Sequence, residues 1–350
     1  MNEEKFTMKI IKKEDFLNFV SILIETEPQT VIGVKSKGSK FIFDTLNSAD
    51  ELRLDYDVTL QSPKKYFLPP TEPLLKYNLT GKFSVQEVNE VTPLIIIGIH
   101  PYDIVALKQM DTVFKEGKRD NNYIRKREES ILIGVNIKNI SPYAFAGSMG
   151  TATTEQGFDI MLTDLGDKYA VEINSEKGAS LIEKYANVAD AGEDIKTEVQ
   201  RIKKEIKSKF KKQINFPPGE LPALLEENYD NEIWDKNSRT CLNCGSCNLV
   251  CPTCYCFDVN DTTELKLNNG TRTRTWDGCL LEDFALSASG ENFRKNKSAR
   301  YRHRFMRKSK YLFDKFGFIA CVGCGRCASS CLPDIADPTR VFNSLKEVSK

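Results

Sequence analysis

Short apolar runs bounded by turn residues recur through the first half of the chain. The runs at 31–34 and 40–43 flank a Lys-Gly-Ser turn, and those at 158–162 and 169–173 flank Leu-Gly-Asp. Strand-forming residues on both sides of a tight turn predict a β-hairpin in each case.

A strand–helix–strand pattern lies between these two hairpins. The runs at 94–99 and 131–137 are almost wholly apolar. Between them, apolar residues recur at helical spacing at positions 104, 107, 110 and 114, which predicts a helix with Asp103 as its N-cap. This order predicts two parallel strands joined by a crossover helix. We therefore expect residues 1–175 to form one mixed α/β domain.

Beyond this region the pattern becomes helical. Apolar residues spaced four, three, four and four apart predict a helix of about 18 residues that packs by one face, and they are Ile195, Val199, Ile202, Ile206 and Phe210. The sequence Pro217-Pro218-Gly219 ends this segment. We expect 176–224 to form a helical linker segment and 225–350 to form a separate domain.

Composition limits the class of protein. The chain has 350 residues, of which 40% are hydrophobic and 28% charged, as in ordinary globular proteins. The net charge of +1 gives no overall bias toward nucleic acid. No apolar run is long enough to span a bilayer, and the acidic first residues do not resemble a secretory signal. These features predict a cytoplasmic protein with no membrane span.

The cysteines change this picture, because they are confined to the C-terminal third. All 11 lie between Cys241 and Cys331, and the first 240 residues contain none. In a reducing compartment, such a group favours the ligation of a metal or a cluster over disulfide bonds.

Eight of the cysteines form two copies of the motif C-x2-C-x2-C-x3-C, which holds [4Fe–4S] clusters in bacterial ferredoxins. The spacing allows tight turns to present thiolates to neighbouring corners of a cubane. Pro252 follows the first copy directly, and Pro333 follows the second copy one residue late. The first motif consists of Cys241, Cys244, Cys247 and Cys251, and the second of Cys321, Cys324, Cys327 and Cys331.

In two-cluster ferredoxins the fourth cysteine of each motif ligates the cluster of the other motif. The predicted ligand sets are therefore crossed: Cys241, Cys244, Cys247 and Cys331 for one cluster, and Cys321, Cys324, Cys327 and Cys251 for the other. Zinc is the alternative, but a zinc ion favours two separated C-x2-C pairs. The long insertion between the motifs predicts helices around the clusters. We thus expect an α+β chain, in which the mixed α/β domain precedes a mainly helical, ferredoxin-like domain with two [4Fe–4S] clusters.

Three cysteines lie outside the motifs, namely Cys254, Cys256 and Cys279. Apolar packing beside the clusters, a further metal centre and redox reactivity all remain open for them.

The segment 294–310 contains nine Lys or Arg residues and no acid. One interpretation is a helix beside the clusters, whose cations offset cluster charge, raise the potential or dock an acidic partner. Contact with nucleic acid and a merely solvated face are the alternatives. His100 and Asp103, at the end of a predicted strand, are a candidate site or a capped turn, and Arg127 is expected to form a structural ion pair.

Further motifs resemble one protein family over nearly the whole chain. They are Pro63-Lys64-Lys65 with Pro69-Pro70-Thr71-Glu72, Asp103, Asp111, Tyr123-Ile-Arg-Lys-Arg127, Ser148-Met149-Gly150-Thr151, Gly157-Phe158-Asp159, Cys251-Pro-Thr-Cys254-Tyr-Cys256, Arg274-Thr-Trp276-Asp277-Gly-Cys279 and Tyr301-Arg302. Together with the cysteine motifs they resemble the 4Fe–4S dicluster family, which includes the β subunits of cytoplasmic sulfhydrogenases and the A subunits of anaerobic sulfite reductases.

The resemblance implies a non-catalytic iron–sulfur subunit in a hetero-oligomeric complex. It would relay electrons between a flavoprotein subunit that takes them from NAD(P)H and a catalytic subunit, which in the family is a nickel–iron hydrogenase or a sirohaem sulfite reductase. Two other functions remain open: a catalytic subunit that reduces sulfur or sulfite itself, and an iron–sulfur protein that binds nucleic acid.

The chain departs from the family at three positions. Relatives often carry cysteines that would hold a third cluster where this chain has Tyr102, Ala144 and Ala146. Because tyrosine and alanine are not iron ligands here, the resemblance implies that this chain holds two clusters only.

Overall fold

The computed structural model describes residues 7–349. The strands are β1 (Thr7–Lys12), β2 (Thr30–Lys37), β3 (Lys40–Thr45), β4 (Thr71–Asn78), β5 (Ser84–Glu87), β6 (Leu94–Ile99), β7 (Ile131–Val135), β8 (Ile160–Asp164), β9 (Lys168–Ile173), β10 (Ala189–Asp190), β11 (Phe257–Thr263) and β12 (Asn269–Trp276). The α-helices are α1 (Lys13–Thr26), α2 (Lys64–Phe67), α3 (Pro101–Lys115), α4 (Asn121–Glu129), α5 (Ala146–Met149), α6 (Glu176–Tyr185), α7 (Glu193–Ile206), α8 (Leu221–Glu227), α9 (Ile233–Ser238), α10 (Ser246–Leu249), α11 (Lys297–Met306), α12 (Leu312–Phe316), α13 (Arg326–Ser329) and α14 (Pro338–Val348). A π-helical turn, Arg307–Tyr311, joins α11 to α12.

The larger sheet has the strand order β10-β1-β9-β8-β7-β6-β2-β3. Its central strands β2, β6, β7 and β8 run parallel, and the outer pairs are antiparallel. Every residue of β6 is buried, because a parallel sheet covered on both faces requires a continuous apolar run. The predicted hairpins, β2–β3 and β8–β9, and the predicted parallel pair β6–β7 are all confirmed.

Helix α3 follows β6 and buries the predicted apolar face, with Ile104 and Met110 both inside the main core. The prediction of Asp103 as its N-cap is wrong. His100 occupies the N-cap position without a capping hydrogen bond from its side chain, and the Asp103 carboxylate binds Arg326 instead. An acid that caps a helix and an acid that forms a buried ion pair look alike in sequence, because both can follow a strand end and precede the apolar face of a helix.

Helix α7 confirms the predicted apolar stripe but is shorter than expected, with 14 residues ending at Ile206. Val199 and Ile206 are buried, and Phe210 is buried just beyond the helix end. Lys203 lies on the same buried side, where its Nζ is 2.7 Å from a carboxylate oxygen of Glu172 on β9. The helix therefore packs onto the larger sheet by one face.

A second sheet has the order β11-β12-β4-β5. In it β12 pairs with β4, so that Arg274 lies opposite Glu72. Strands β4 and β5 come from the predicted N-terminal domain, whereas β11 and β12 come from the insertion between the cysteine motifs. The domain limits at 175 and 225 stay a prediction, and this sheet connects the two sides of that division. The insertion also contains a hairpin that the cysteine spacing did not predict.

The C-terminal part consists mainly of short helices around a second apolar core. That core is formed by side chains from α8, α9, α11 and α14 together with two motif cysteines, and includes Leu225, Trp234, Phe305, Phe342, Cys247 and Cys327. A mixed α/β region followed by a largely helical, cysteine-rich region confirms the predicted fold class. Across residues 7–349, no helix has the length and apolarity needed to cross a membrane.

Candidate iron–sulfur site

The two cysteine motifs adopt the same backbone conformation. Just before the second cysteine of each motif, Asn243 and Gly323 have φ angles of 53° and 66°, and just after it Gly245 and Gly325 have φ angles of 69° and 78°. Helices α10 and α13 begin immediately afterwards. Left-handed residues between right-handed ones create a concave row of backbone N–H groups that favours anionic ligands. Glycine and asparagine occupy these positions because they tolerate positive φ.

The first cavity has an empty volume of about 390 Å³ and is lined by both motifs. We call its cysteines the first ring, and they are Cys241, Cys244, Cys247 and Cys331. Leu280 and Ile335 add apolar lining. Cys244 is exposed, so this cavity lies close to the protein surface.

The second cavity has an empty volume of about 440 Å³ and is again lined by both motifs. Its cysteines form the second ring, which consists of Cys251, Cys321, Cys324 and Cys327. Phe145, Phe305 and Phe342 close it with aromatic side chains. No cysteine of this ring is classed as exposed, so the second cavity lies deeper than the first.

The structure thus brings together the members of each crossed set, while ligation itself stays a prediction. Four thiols around a mainly apolar cavity, with glycine turns on one side, fit a [4Fe–4S] cluster that needs one thiolate at each iron. In residues 7–349, no three Cys, His, Asp or Glu side chains form a group that could hold a metal ion. The four cysteines of each ring instead line a cavity.

Burial raises the pKa of several ring thiols, whereas hydrogen bonds lower that of others. Desolvation raises the pKa of Cys247 in the first ring and that of Cys321 in the second to about 12. Both thiols are therefore neutral at pH 7 until a positively charged group enters the cavity and the protons leave. Cys244 differs, because a hydrogen bond with the Ser246 hydroxyl, at 3.3 Å, lowers the pKa of its thiol.

A row of basic side chains lies beside the rings. Arg300, Arg304 and Lys308 recur every four residues along α11 and the π-helical turn, and they are only 2%, 3% and 7% exposed. Arg304 lines both cavities, and Lys308 lines the second. The wider π-helical turn leaves the Lys308 carbonyl free to accept the N–H of Ala320 at 2.7 Å, directly before Cys321. The predicted helix in the basic segment therefore lies against both rings.

The second motif packs closely against the loop after β7. The Phe145 N–H donates to the Gly323 carbonyl at 2.8 Å. A Cβ atom on Gly323 would lie 2.7 Å from the Ala146 backbone nitrogen, and one on Gly325 would lie 2.4 Å from the Tyr143 carbonyl carbon. These glycines are therefore needed for the contact with the α/β region as well as for the turns around the cavity.

An ion pair secures the same contact. Arg326 lies between the second and third cysteines of the second motif, and two of its nitrogens donate to the two carboxylate oxygens of Asp103 at 2.6 Å each. Its other hydrogen bonds, both 2.8 Å long, go to the carbonyl and hydroxyl oxygens of Thr59. Sequence reasoning missed Arg326. The available signal was an arginine in a buried cysteine motif together with an unexplained acid at a strand end.

Other acids from the family motifs also have arginine partners. Glu72 accepts hydrogen bonds from Arg274 on β12, and Asp111 accepts two from Arg127 at 2.9 and 3.0 Å. The expected structural ion pair of Arg127 is thus confirmed. These pairs show that several of the family motifs hold the chain together rather than line the cavities.

Cys254, Cys256 and Cys279 line neither cavity. The side-chain amide of Asn248, on α10, donates to the sulfur of Cys254 at 3.5 Å and to that of Cys279 at 3.3 Å. Lys64 donates to the Cys254 carbonyl at 2.9 Å. These contacts agree with the packing interpretation for Cys254 and Cys279.

His100 and Asp103 do not form a common site. The His100 ring stacks on Tyr56 with centroids 4.0 Å apart, and its Nδ1 lies 2.7 Å from the Tyr102 hydroxyl. Desolvation lowers the pKa of His100 well below its ordinary value, so the ring is neutral at pH 7. His100 therefore belongs to the core beneath the second motif.

Tyr102, Ala144 and Ala146, the three positions at which the family resemblance implies extra cysteines, lie in one apolar cluster. They pack there with Val322 and Cys324 of the second motif. All three are buried, between 0% and 3% exposed. In this chain the space next to the second ring is thus filled by apolar side chains and a tyrosine.

Comparison with known proteins agrees with this site. Residues 240–335, which contain both rings, match the family described as the 4Fe-4S dicluster domain. Over 321 residues the chain is 34% identical to sulfhydrogenase 2 subunit beta of Pyrococcus furiosus, and the aligned part covers 91% of this chain and 92% of that protein. No solved structure matches the chain. Identity of this extent along nearly the whole of both proteins shows that the chain belongs to the sulfhydrogenase β-subunit family, with an iron–sulfur dicluster domain at its C-terminal end.

Proposed function

We propose that the chain is a non-catalytic electron-transfer subunit that holds one [4Fe–4S] cluster in each ring. The crossed arrangement of the rings carries this proposal, because each cavity takes three cysteines from one motif and the fourth from the other. A bound cluster supplies one-electron storage. The residues of the chain fix the cluster positions, exclude water from the second cavity and hold the two cavities next to each other, with Arg304 in the wall of both.

The surface beside the first cavity is the proposed docking face for one redox partner. Leu242 and Leu332 directly follow two cysteines of the first ring and are 61% and 89% exposed. Exposed apolar side chains next to an exposed cysteine, Cys244, are typical of a protein interface rather than of a free surface. The occupant we infer is the cofactor-bearing face of a redox subunit, since an electron leaving this ring needs an acceptor close by.

A relay needs a second point of exchange, and a cleft beside the second ring supports one. The cleft is open to solvent. Val250 and Arg326, which neighbour two cysteines of the second ring, form one wall, and Lys37, Lys40 and Lys65 contribute to the other side. Four cations, the three lysines and Arg326, outnumber the two acids of the cleft, Asp44 and Asp57, and this excess favours a partner with an acidic surface.

The partners we propose are a flavoprotein subunit and a catalytic redox subunit, either a hydrogenase with sulfur reductase activity or a sulfite reductase. The Pyrococcus furiosus relative is named as the β subunit of a sulfhydrogenase, which supports the first kind of catalytic partner. Copurification of the tagged full-length chain from its own cells under anaerobic conditions, followed by identification of the bound subunits, tests this choice.

Cluster content is tested on the anaerobically purified chain. We expect about eight iron atoms per chain, as two [4Fe–4S] clusters require, and two reducible signals in electron paramagnetic resonance (EPR). Cys331→Ser should remove the first-ring cluster only, although Cys331 belongs to the second motif. Cys254→Ser is the matched control and should leave both clusters in place. Stoichiometric zinc without a cluster signal would contradict the proposal.

A further inference from the structure

Arg304 is a buried cation, and no carboxylate within residues 7–349 pairs with it. It is 3% exposed, its Nε has no hydrogen-bond partner, and none of the ion pairs found within residues 7–349 includes it. An unpaired buried charge is costly and does not persist without compensation. The ring cysteines, which line the same two cavities as Arg304, are the groups in position to compensate this charge.

Other buried arginines show how the chain normally solves this problem. Arg326 is paired with Asp103, and Arg274 is paired with Glu72 and Asp120. Arg300 has no carboxylate partner but donates to the backbone carbonyls of Arg294 and Lys295. Arg304 lies instead in a segment, 294–310, that contains no acid. Its guanidinium thus differs from the others in facing two cavities and no carboxylate.

Thiols from both rings surround Arg304. It shares the wall of the first cavity with Cys247 and the wall of the second with Cys251 and Cys327. Lys308, four residues on, lines the second cavity only and donates to the Thr253 hydroxyl at 2.7 Å. Arg304 is therefore a cation shared between the rings, and Lys308 belongs to one ring.

We propose that Arg304 is the common counter-charge of the two clusters and raises the reduction potential of both, whereas Lys308 acts on the second-ring cluster alone. This inference rests on the proposed function. Four thiolates outweigh the positive charge of the oxidised iron–sulfur core, and reduction adds one more negative charge. A fixed cation in a water-poor wall stabilises the reduced form more than the oxidised form, and net charge is among the factors that set cluster potentials.

The test is an EPR-monitored redox titration of the anaerobically purified full-length chain, with iron and sulfide measured first. In Arg304→Gln both reduction steps should move to lower potential. We expect the ratio of reduced to oxidised cluster, at the wild-type midpoint, to fall about tenfold for each step, which is about 59 mV for a one-electron couple. Arg304→Lys keeps the charge and should restore most of the shift.

Two further variants distinguish an effect of Arg304 on both clusters from an effect that the loss of any cation in this helix would have. Lys308→Gln should move one step only. Arg302→Gln should move neither, because Arg302 lines neither cavity and pairs with Asp230 at 3.2 Å. If both clusters are present in Arg304→Gln and either step stays at its wild-type potential, the inference is wrong.

Loss of the clusters from the Arg304 variants also tests the inference. If Arg304→Gln fails to hold clusters while Arg304→Lys holds both, the need for a positive charge at this position is supported. In that case Lys308→Gln must still shift the potential of one reduction step only. If both Arg304 variants lose the clusters alike, the residue acts through its shape, and the inference fails. A wild-type chain without two reducible clusters would instead refute the proposed function, so the two failures are distinguishable.

Discussion

The ion pair between Arg326 and Asp103 makes a quantitative prediction about how the second cysteine motif is held. Both side chains are almost completely buried, at 1% and 0% exposed. We consider Arg326→Met, which keeps an unbranched apolar chain of similar reach but removes the cation. The substitution leaves the Asp103 carboxylate buried without its partner, in a chain that is otherwise unchanged.

Two routes give the magnitude of the effect. Breaking a buried ion pair on one side costs about 3–5 kcal/mol of unfolding free energy. Two unit charges about 4 Å apart attract each other by about 4 kcal/mol at an effective dielectric constant of 20. We therefore expect Arg326→Met to lower the free energy of unfolding by about 4 kcal/mol at pH 7.

The loss should depend on pH in a defined direction. Burial already raises the pKa of Asp103 above its ordinary value of 3.8, and Arg326 opposes that rise. Without Arg326 the pKa rises further, so the folded variant binds a proton that the unfolded chain releases, and its stability falls as pH rises. Between pH 5 and pH 7, the destabilisation by Arg326→Met should grow by up to about 1.4 kcal/mol per pH unit.

The assay is denaturant unfolding of the cluster-loaded chain under anaerobic conditions, followed by circular dichroism at pH 5 and pH 7. The double variant Arg326→Met/Asp103→Leu removes both charges and should lose only about 1–2 kcal/mol, mainly from the hydrogen bonds to Thr59. If the single variant at pH 7 is no less stable than the double variant, Asp103 does not carry a buried charge and the reasoning is refuted.

Three further outcomes follow from the structure. Gly323→Ala should lower the unfolding free energy by about 1–3 kcal/mol, because the new Cβ meets backbone at positive φ, whereas Gly219→Ala, with no atom within 4 Å of the added Cβ, should change it little in the same denaturation assay. A histidine kept neutral in the fold becomes protonated on unfolding, so His100 should lower the free energy of unfolding by about 2 kcal/mol between pH 7 and pH 5. His100→Phe should remove that decrease, and an unchanged pH dependence of unfolding would contradict this. Leu242→Ser with Leu332→Ser should slow electron exchange with the redox partner about tenfold in stopped-flow absorbance, without altering the EPR signals of the clusters.

The regular elements of the larger sheet were predictable because one physical requirement determines each of them. A parallel strand covered on both faces must be apolar throughout, so β6 and β7 are visible in sequence without any knowledge of their neighbours. A tight turn between two strand-forming runs is similarly local, which is why β2–β3 and β8–β9 were found.

The second sheet was not predictable for the converse reason. Strand β11 is exposed along six of its seven residues, and therefore lacks the apolar alternation that marks a half-buried strand. Its pairing with β12, and the pairing of β12 with β4 nearly 200 residues earlier, depend on tertiary contacts such as that of Arg274 with Glu72. No local pattern in the insertion contains that information.

The grouping of the cysteines followed from the chemistry of a cubane, which needs four thiolates and has a known crossed precedent in two-cluster ferredoxins. The side chains that support the rings were harder to find. The concentration of cations in 294–310 led to the interpretation of a helix beside the clusters, but it did not indicate which of the cations turn inward. The recurrence of Arg300, Arg304 and Lys308 every four residues was the signal, and on an α-helix that spacing places all three on one face.

The distribution of acids carries information that the cysteines alone do not. A folded chain tolerates a buried arginine when a carboxylate lies beside it, as Asp103 lies beside Arg326. The segment 294–310 buries three cations and contains no acid. Arg300 and Lys308 donate to backbone carbonyls and to the Thr253 hydroxyl, which are neutral acceptors, so a negative group in the neighbouring rings stabilises the segment further. Cysteine thiols that burial keeps neutral do not provide that charge, but thiolates bound to iron do. Clusters and helix therefore depend on each other, and removing iron from the folded chain should loosen 294–310 before it loosens the larger sheet, as faster amide hydrogen exchange in that segment would show.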